Sequence, residues 1–148
     1  MGERSGDTMP DSKMKEQLGY IIASVNRELE EELEERLRPA GVPIEQLRVL
    51  EVLHNADGRS MGEVAAAALV DAPTLTKIID RMVSDNLVFR GPDPGDRRRV
   101  LIFLAAAGRA LHKRLKSVTV AQEKRLSKNL DPHKMEELRG LLRELIAN

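Results

Sequence analysis

The sequence predicts a mainly α-helical protein: an α+β winged helix-turn-helix flanked by N- and C-terminal dimerisation helices. Three observations carry that prediction. Charged residues make up 32% of the 148-residue chain and aromatics 2%, a composition that leans helical. A helical pattern over residues 72–85 runs at once into a β-hairpin whose turn carries three consecutive arginines. Long amphipathic helical patterns occupy both ends of the chain.

Residues 1–10 are polar, hold Gly2, Gly6 and Pro10, and are expected to form a disordered tail. Residues 11–38 read as one long helix. Met14, Leu18, Ile21, Val25, Leu29, Leu33 and Leu37 recur every three or four positions and form one stripe, with a glutamate cluster on the far side. Pro39 and Gly41 stop it. A second helix is expected over 43–55, with Pro43 in its first turn. Asp57-Gly58 marks a turn, and Ser60-Met61-Gly62-Glu63 fits a capping box ahead of a short alanine-rich helix. Asp71 can cap the helix that follows, where Pro73 is tolerated in the first turn.

Val88-Phe89-Arg90 and Arg97 to Leu104 read as two strands, joined by a turn built on Gly91, Pro92, Pro94 and Gly95. From Ala105 the pattern is helical again, through Leu111, Leu115, Val118, Leu126 and Leu130. Asp131-Pro132 opens a last helix through Met135, Leu138, Leu142 and Leu145. The expected organisation is a helical dimerisation region over 11–40 and 105–148 around a DNA-binding unit over 41–104. Helices this amphipathic need a partner, and a second copy of the chain supplies the same stripe.

The formal net charge is zero, but its distribution is uneven. Residues 1–40 hold six basic and ten acidic side chains, whereas residues 72–128 hold thirteen basic and five acidic, a local excess of +8. The positive segment contains the helix and hairpin just described, where it can meet phosphates. The chain has no cysteine, which excludes disulfides and thiol chemistry. The three histidines, His54, His112 and His133, are scattered, so no metal is expected. There is no phosphate-cradling glycine loop, nucleophile elbow or cofactor motif, so neither catalysis nor a cofactor is expected. No apolar segment has the length of a signal sequence or membrane span, and cytoplasmic residence is the expectation.

On the helix at 72–85, Leu75, Ile78, Ile79 and Met82 share the core face. This leaves Thr74, Lys77, Arg81 and Ser84 outward, with Thr76 beside them. Short hydroxyls and long cations suit base-edge and phosphate contacts in a major groove. Such a face is also common on solvated helices; the hairpin directly downstream favours double-stranded DNA. In that hairpin Asp96 stands where it can orient a guanidinium, and Arg97, Arg98 and Arg99 suit the negative potential of a narrow minor groove.

These motifs resemble the MarR family of winged-helix transcription regulators over roughly residues 12–147. The most specific parts are Leu69 to Arg90, ending in NLVFR, and the DPGDRRR hairpin with its Asp-x-Arg. The resemblance implies a homodimer on a pseudo-palindromic operator, with one recognition helix per subunit in the major groove and the wing in the minor groove. It assigns Asp96 and Arg98 to the wing pair, Thr76 and Lys77 to the reading helix. It also implies a repressor released by a small lipophilic or phenolic effector held between the dimer helices and the winged unit. Tyr20, Arg48 and His54 are the residues suited to line such a cleft, although interface packing, solvation and a helix end respectively would also account for them. The alternative is a protein-interaction module of the same fold that has lost DNA binding, which the zero net charge and acidic first helix would suit.

Two features depart from the family pattern. Leu104-Ala105-Ala106-Ala107-Gly108 stands where the family has Leu-Thr-x-x-Gly, so the cap of the next helix is missing, at a local cost of about 1 kcal/mol. Asn86 stands where glycine is frequent, and asparagine also tolerates a left-handed helix exit.

Overall fold

The computed structural model describes residues 12–146. A helical segment over residues 12–16 precedes the first long helix, α1 (Leu18–Leu37), which restarts after Gln17 adopts an extended backbone. The continuous helix expected over 11–38 is therefore broken near its start. A 3-10 turn (Arg38–Ala40) follows, and Gly41 closes it at φ +67. The remaining elements are α2 (Ile44–Asn55), β1 (Arg59–Ser60), α3 (Met61–Ala68), α4 (Ala72–Ser84), β2 (Val88–Asp93), β3 (Asp96–Leu104), α5 (Ala106–Asn129) and α6 (Pro132–Ile146). The tail expected over 1–10 lies outside the described residues.

The sheet is antiparallel, in the order β1-β3-β2. Its third strand, β1, has no sequence signal, because two residues cannot display a period. Pairing of Arg59 with Ile102 and Ser60 with Leu101 creates it. The hairpin is longer than the pattern suggests. Gly91, Pro92 and Asp93 continue β2, and only Pro94-Gly95 turn. Proline is tolerated there because β2 is an edge strand, where one side of the backbone needs no partner.

Local signals set the helix boundaries. The Ser60 hydroxyl accepts from Glu63 N at 3.2 Å and lies 2.9 Å from the Glu63 carboxylate, the geometry of a capping box. The Asp71 carboxylate accepts from Thr74 N at 2.8 Å and opens α4. The Thr74 hydroxyl first, and its backbone N–H next, hold the Asp71 carboxyl below its ordinary range. Asn86 takes φ +59 at the exit of α4, where Leu87 N returns to Met82 O at 2.9 Å. Leu69 also stands at positive φ, +58, between α3 and α4, with its side chain exposed. Ala105 provides no side-chain cap for α5, as its alanine requires.

One core joins every layer. Leu37 of α1, Leu50 and Leu53 of α2, Val64 of α3, Leu75, Ile79 and Met82 of α4, Ile102 and Leu104 of β3, and Leu115 of α5 form a single buried cluster. Each large aliphatic side chain buried this fully contributes about 2 kcal/mol before entropy is counted. The α1 stripe divides. Leu37 is sealed in this core and Leu33 packs against it, whereas Leu18, Ile21 and Val25 remain about half exposed. In α6 no residue is buried, and Leu141 and Leu145 are more than half exposed.

The terminal helices are tied together by polar contacts. Gln122 of α5 donates to the Leu29 carbonyl of α1 at 2.9 Å, and Arg125 pairs with Glu32 at 2.5 Å. Arg139 of α6 pairs with Glu123 of α5 at 2.5 Å. No helix among the described residues is long and apolar enough to cross a membrane.

Candidate nucleic-acid interface

The core decides which face of α4 is free. Burial of Leu75, Ile79 and Met82 rotates Thr74, Thr76, Lys77, Arg81 and Ser84 outward, and all five are exposed. The Thr76 hydroxyl donates to Ala72 O at 3.0 Å, which leaves its lone pairs outward as acceptors. Arg81 lies 3.5 Å from Asp85, but both side chains are largely solvated and the pair holds Arg81 weakly. The Lys77 ammonium has no partner among the described residues.

Two aspartates build the wing tip. Asp93 accepts from Gly95 N at 2.9 Å, and Asp96 accepts from Arg98 N at 3.0 Å. The expectation that Asp96 orients a guanidinium is thus corrected: its carboxylate fixes the backbone of the arginine instead. A carboxylate two residues before an amide closes this local turn, and the geometry is shorter-ranged than a side-chain reach. The side chains of Arg97 and Arg98 carry no ion pair among the described residues.

Arg99 is different. Its guanidinium contacts the Glu63 carboxylate of α3 and lies 3.9 Å from Asp93. Glu63 is held below its ordinary range mainly by the Ser60 hydroxyl, with Arg99 and Arg59 adding to the effect. Arg99 would have to exchange these carboxylates for a phosphate to serve in binding. Arg90 pairs with Asp80 at 2.6 Å and so ties the wing to α4. Stacked Phe89 and Phe103, with ring centroids 5.3 Å apart, stiffen the hairpin. Neither ion pair has a local sequence signal, because the partners lie 36 and 10 residues apart.

The three residues expected to line an effector cleft are not brought together within one protomer. Arg48 of α2 pairs with Glu30 of α1 at 2.7 Å, and this guanidinium holds the Glu30 carboxyl low. Tyr20 stands on the exposed part of α1. Only His54 enters a sizeable cleft, about 600 Å³, between α2, α3 and α5. There it stacks on His112 of α5 at 4.1 Å. Sequence spacing could not reveal this pairing, since the partners lie on different helices. Burial holds His112 below its ordinary value, and the charges of His54 and Lys116 add to the effect. Burial also raises the Glu51 carboxyl in the same cleft. Among the described residues no group of three or more acidic or histidine side chains could hold a metal.

A family profile described as MarR family matches residues 40–99, from the end of the 3-10 turn to the wing arginines. The multiple antibiotic resistance protein MarR of Escherichia coli is 31% identical over 131 residues, covering 87% of this chain and 90% of that protein. The HTH-type transcriptional repressor IacR of Pseudomonas putida is 27% identical over 148 residues, covering 99% and 89%. A mutant E. coli MarR complexed with operator DNA has a TM-score of 0.78 at 31% identity, covering 86% of this chain and 92% of that one. With its three-stranded winged helix matching these structures and its sequence matching over most of both lengths, the chain belongs to the MarR family.

Proposed function

We propose that this protein is a homodimeric transcriptional repressor that binds a pseudo-palindromic operator and releases it when a small lipophilic or phenolic ligand binds. The observation that carries the reading is the exposed Thr76, Lys77 and Arg81 face of α4, tied through Arg90 and Asp80 to a wing whose Arg97 and Arg98 side chains have no ion pair among the described residues. Cations not already held by carboxylates can take phosphates without first losing a partner. The repressor role is supported by relatives described as repressors and by the relative solved on operator DNA.

Exposed apolar surface supports the dimer. Leu18, Ile21 and Val25 on α1 and Leu141, Leu145 and Ile146 on α6 are exposed in one protomer. A patch of this kind marks an interface. Sedimentation at low micromolar concentration should give about 33 kDa, twice the 16.5 kDa chain. A clean monomer would remove the operator geometry, which requires two recognition helices about 34 Å apart.

The effector cleft is the weakly closed space beside His54 and His112, where α2 of the winged unit meets α5. A ligand preferring one angle between these helices would shift the dimer away from the spacing that DNA demands. DNA binding itself is tested by salt titration of anisotropy on a selected operator and a scrambled duplex. Replacing Thr76 and Lys77 together with alanine should reduce discrimination between the two, whereas Arg97→Ala should weaken both evenly and flatten the salt slope by about one unit. Absence of salt-dependent binding to any duplex would favour the interaction-module reading.

A further inference from the structure

We propose that the cleft between the start of α2 and the outer edge of α4 is a subsite for one backbone phosphate of bound duplex DNA, with the Gln46 amide as its fixed donor. This rests on the DNA-binding reading and adds a contact outside the recognition helix and wing. Gln46 is 8% exposed, the single polar side chain in the buried set among the described residues. Its amide has no hydrogen-bond partner there. Yet no side-chain nitrogen or oxygen among the described residues is both sealed from solvent and unpartnered. The Gln46 amide therefore reaches solvent, and Gln46 lines a cleft of about 490 Å³ shared with Pro43, Thr74, Lys77 and Arg81. At this opening the amide meets water in the free protein, and a phosphate oxygen would take the place of that water as acceptor.

The surroundings suit an anion delivered by a larger molecule. Pro43 is the N-cap of α2 and supplies no side-chain cap, so the positive end of the helix faces outward uncapped. Lys77 and Arg81 reach the cleft from α4, the helix whose other outward residues face the groove. Glu45 and Asp85 also line it and oppose a free anion. Asp85 is offset by Arg81 at 3.5 Å. Glu45 is not offset by any described cation. That balance disfavours free phosphate and admits one phosphodiester held in place by the rest of the duplex.

The test measures binding of selected operator and scrambled duplex by anisotropy, with melting temperature recorded for each variant. Gln46→Leu keeps the volume and should leave melting unchanged or raised. It should weaken both duplexes about tenfold, with their ratio retained, as for loss of one hydrogen bond to a charged group. Gln46→Glu keeps the shape and sets a carboxylate against the phosphate, so its loss should be larger on both duplexes. Parent-like binding by either folded variant overturns the subsite. Loss confined to the operator overturns it too, because that pattern means base reading. Millimolar inorganic phosphate, compared with chloride at equal ionic strength, should not stabilise the parent. Stabilisation abolished by Gln46→Glu would make this a free-anion site and overturn the DNA assignment. A parent that binds no duplex overturns the DNA-binding reading itself, and with it this inference.

Discussion

Gly108→Ala should destabilise the protein by about 3 kcal/mol. A Cβ at Gly108 would overlap the Leu87 carbonyl oxygen and stand 3.1 Å from the Leu104 methyl. The oxygen cannot retreat freely, because it already accepts from Ala105 N at 2.9 Å. Here the first turn of α5 sits directly on the exit of α4 and the end of β3. Alanine is a good helix residue, so helix propensity alone predicts the opposite sign, a gain of somewhat under 1 kcal/mol. Urea denaturation decides between them. A variant within 1 kcal/mol of the parent would mean that this close approach is not maintained in solution. Operator affinity should fall as well, since the same contact sets the wing against α4.

Arg98→Ala should weaken operator binding by about 1–3 kcal/mol while leaving the sedimentation behaviour and the melting temperature nearly unchanged. The Arg98 side chain is exposed and has no partner among the described residues, so little folding energy depends on it. Its backbone amide, held by Asp96 at 3.0 Å, survives the substitution and keeps the tip in shape. Arg99→Ala provides the contrast. Arg99 is engaged by Glu63, so its removal should cost less affinity than Arg98. Anisotropy on operator duplex with parallel thermal melts measures both. Parent-like binding by Arg98→Ala would show that the Asp-x-Arg pair serves only the turn.

The elements legible in the sequence were those with a local physical cause. Asp71 and Ser60 announce their helices because a cap acts over three residues. Asn86, which stands where the family resemblance expects glycine, takes positive φ at the helix exit because asparagine tolerates it. Leu75, Ile79 and Met82 announce the core face of α4, and so the free face, because helical geometry puts them on one side. The outward residues of α4 and the arginines of the hairpin are therefore legible from their order alone.

What the sequence by itself determined was the sequence of helices, the hairpin, and which side of each helix is apolar, since these depend on neighbours within about four residues. The tertiary structure decided what distant residues do to one another. It withdrew Arg99 from the free wing cations by setting Glu63 beside it, used Asp96 on a backbone amide, added β1 to the sheet, and paired Arg48 with Glu30 away from the cleft. It also stacked His54 on His112 and set Gln46 in the wall of an open cleft. Each of these outcomes depends on partners brought together by burial of one shared core, and periodicity carries no information about which face of one helix meets which face of another.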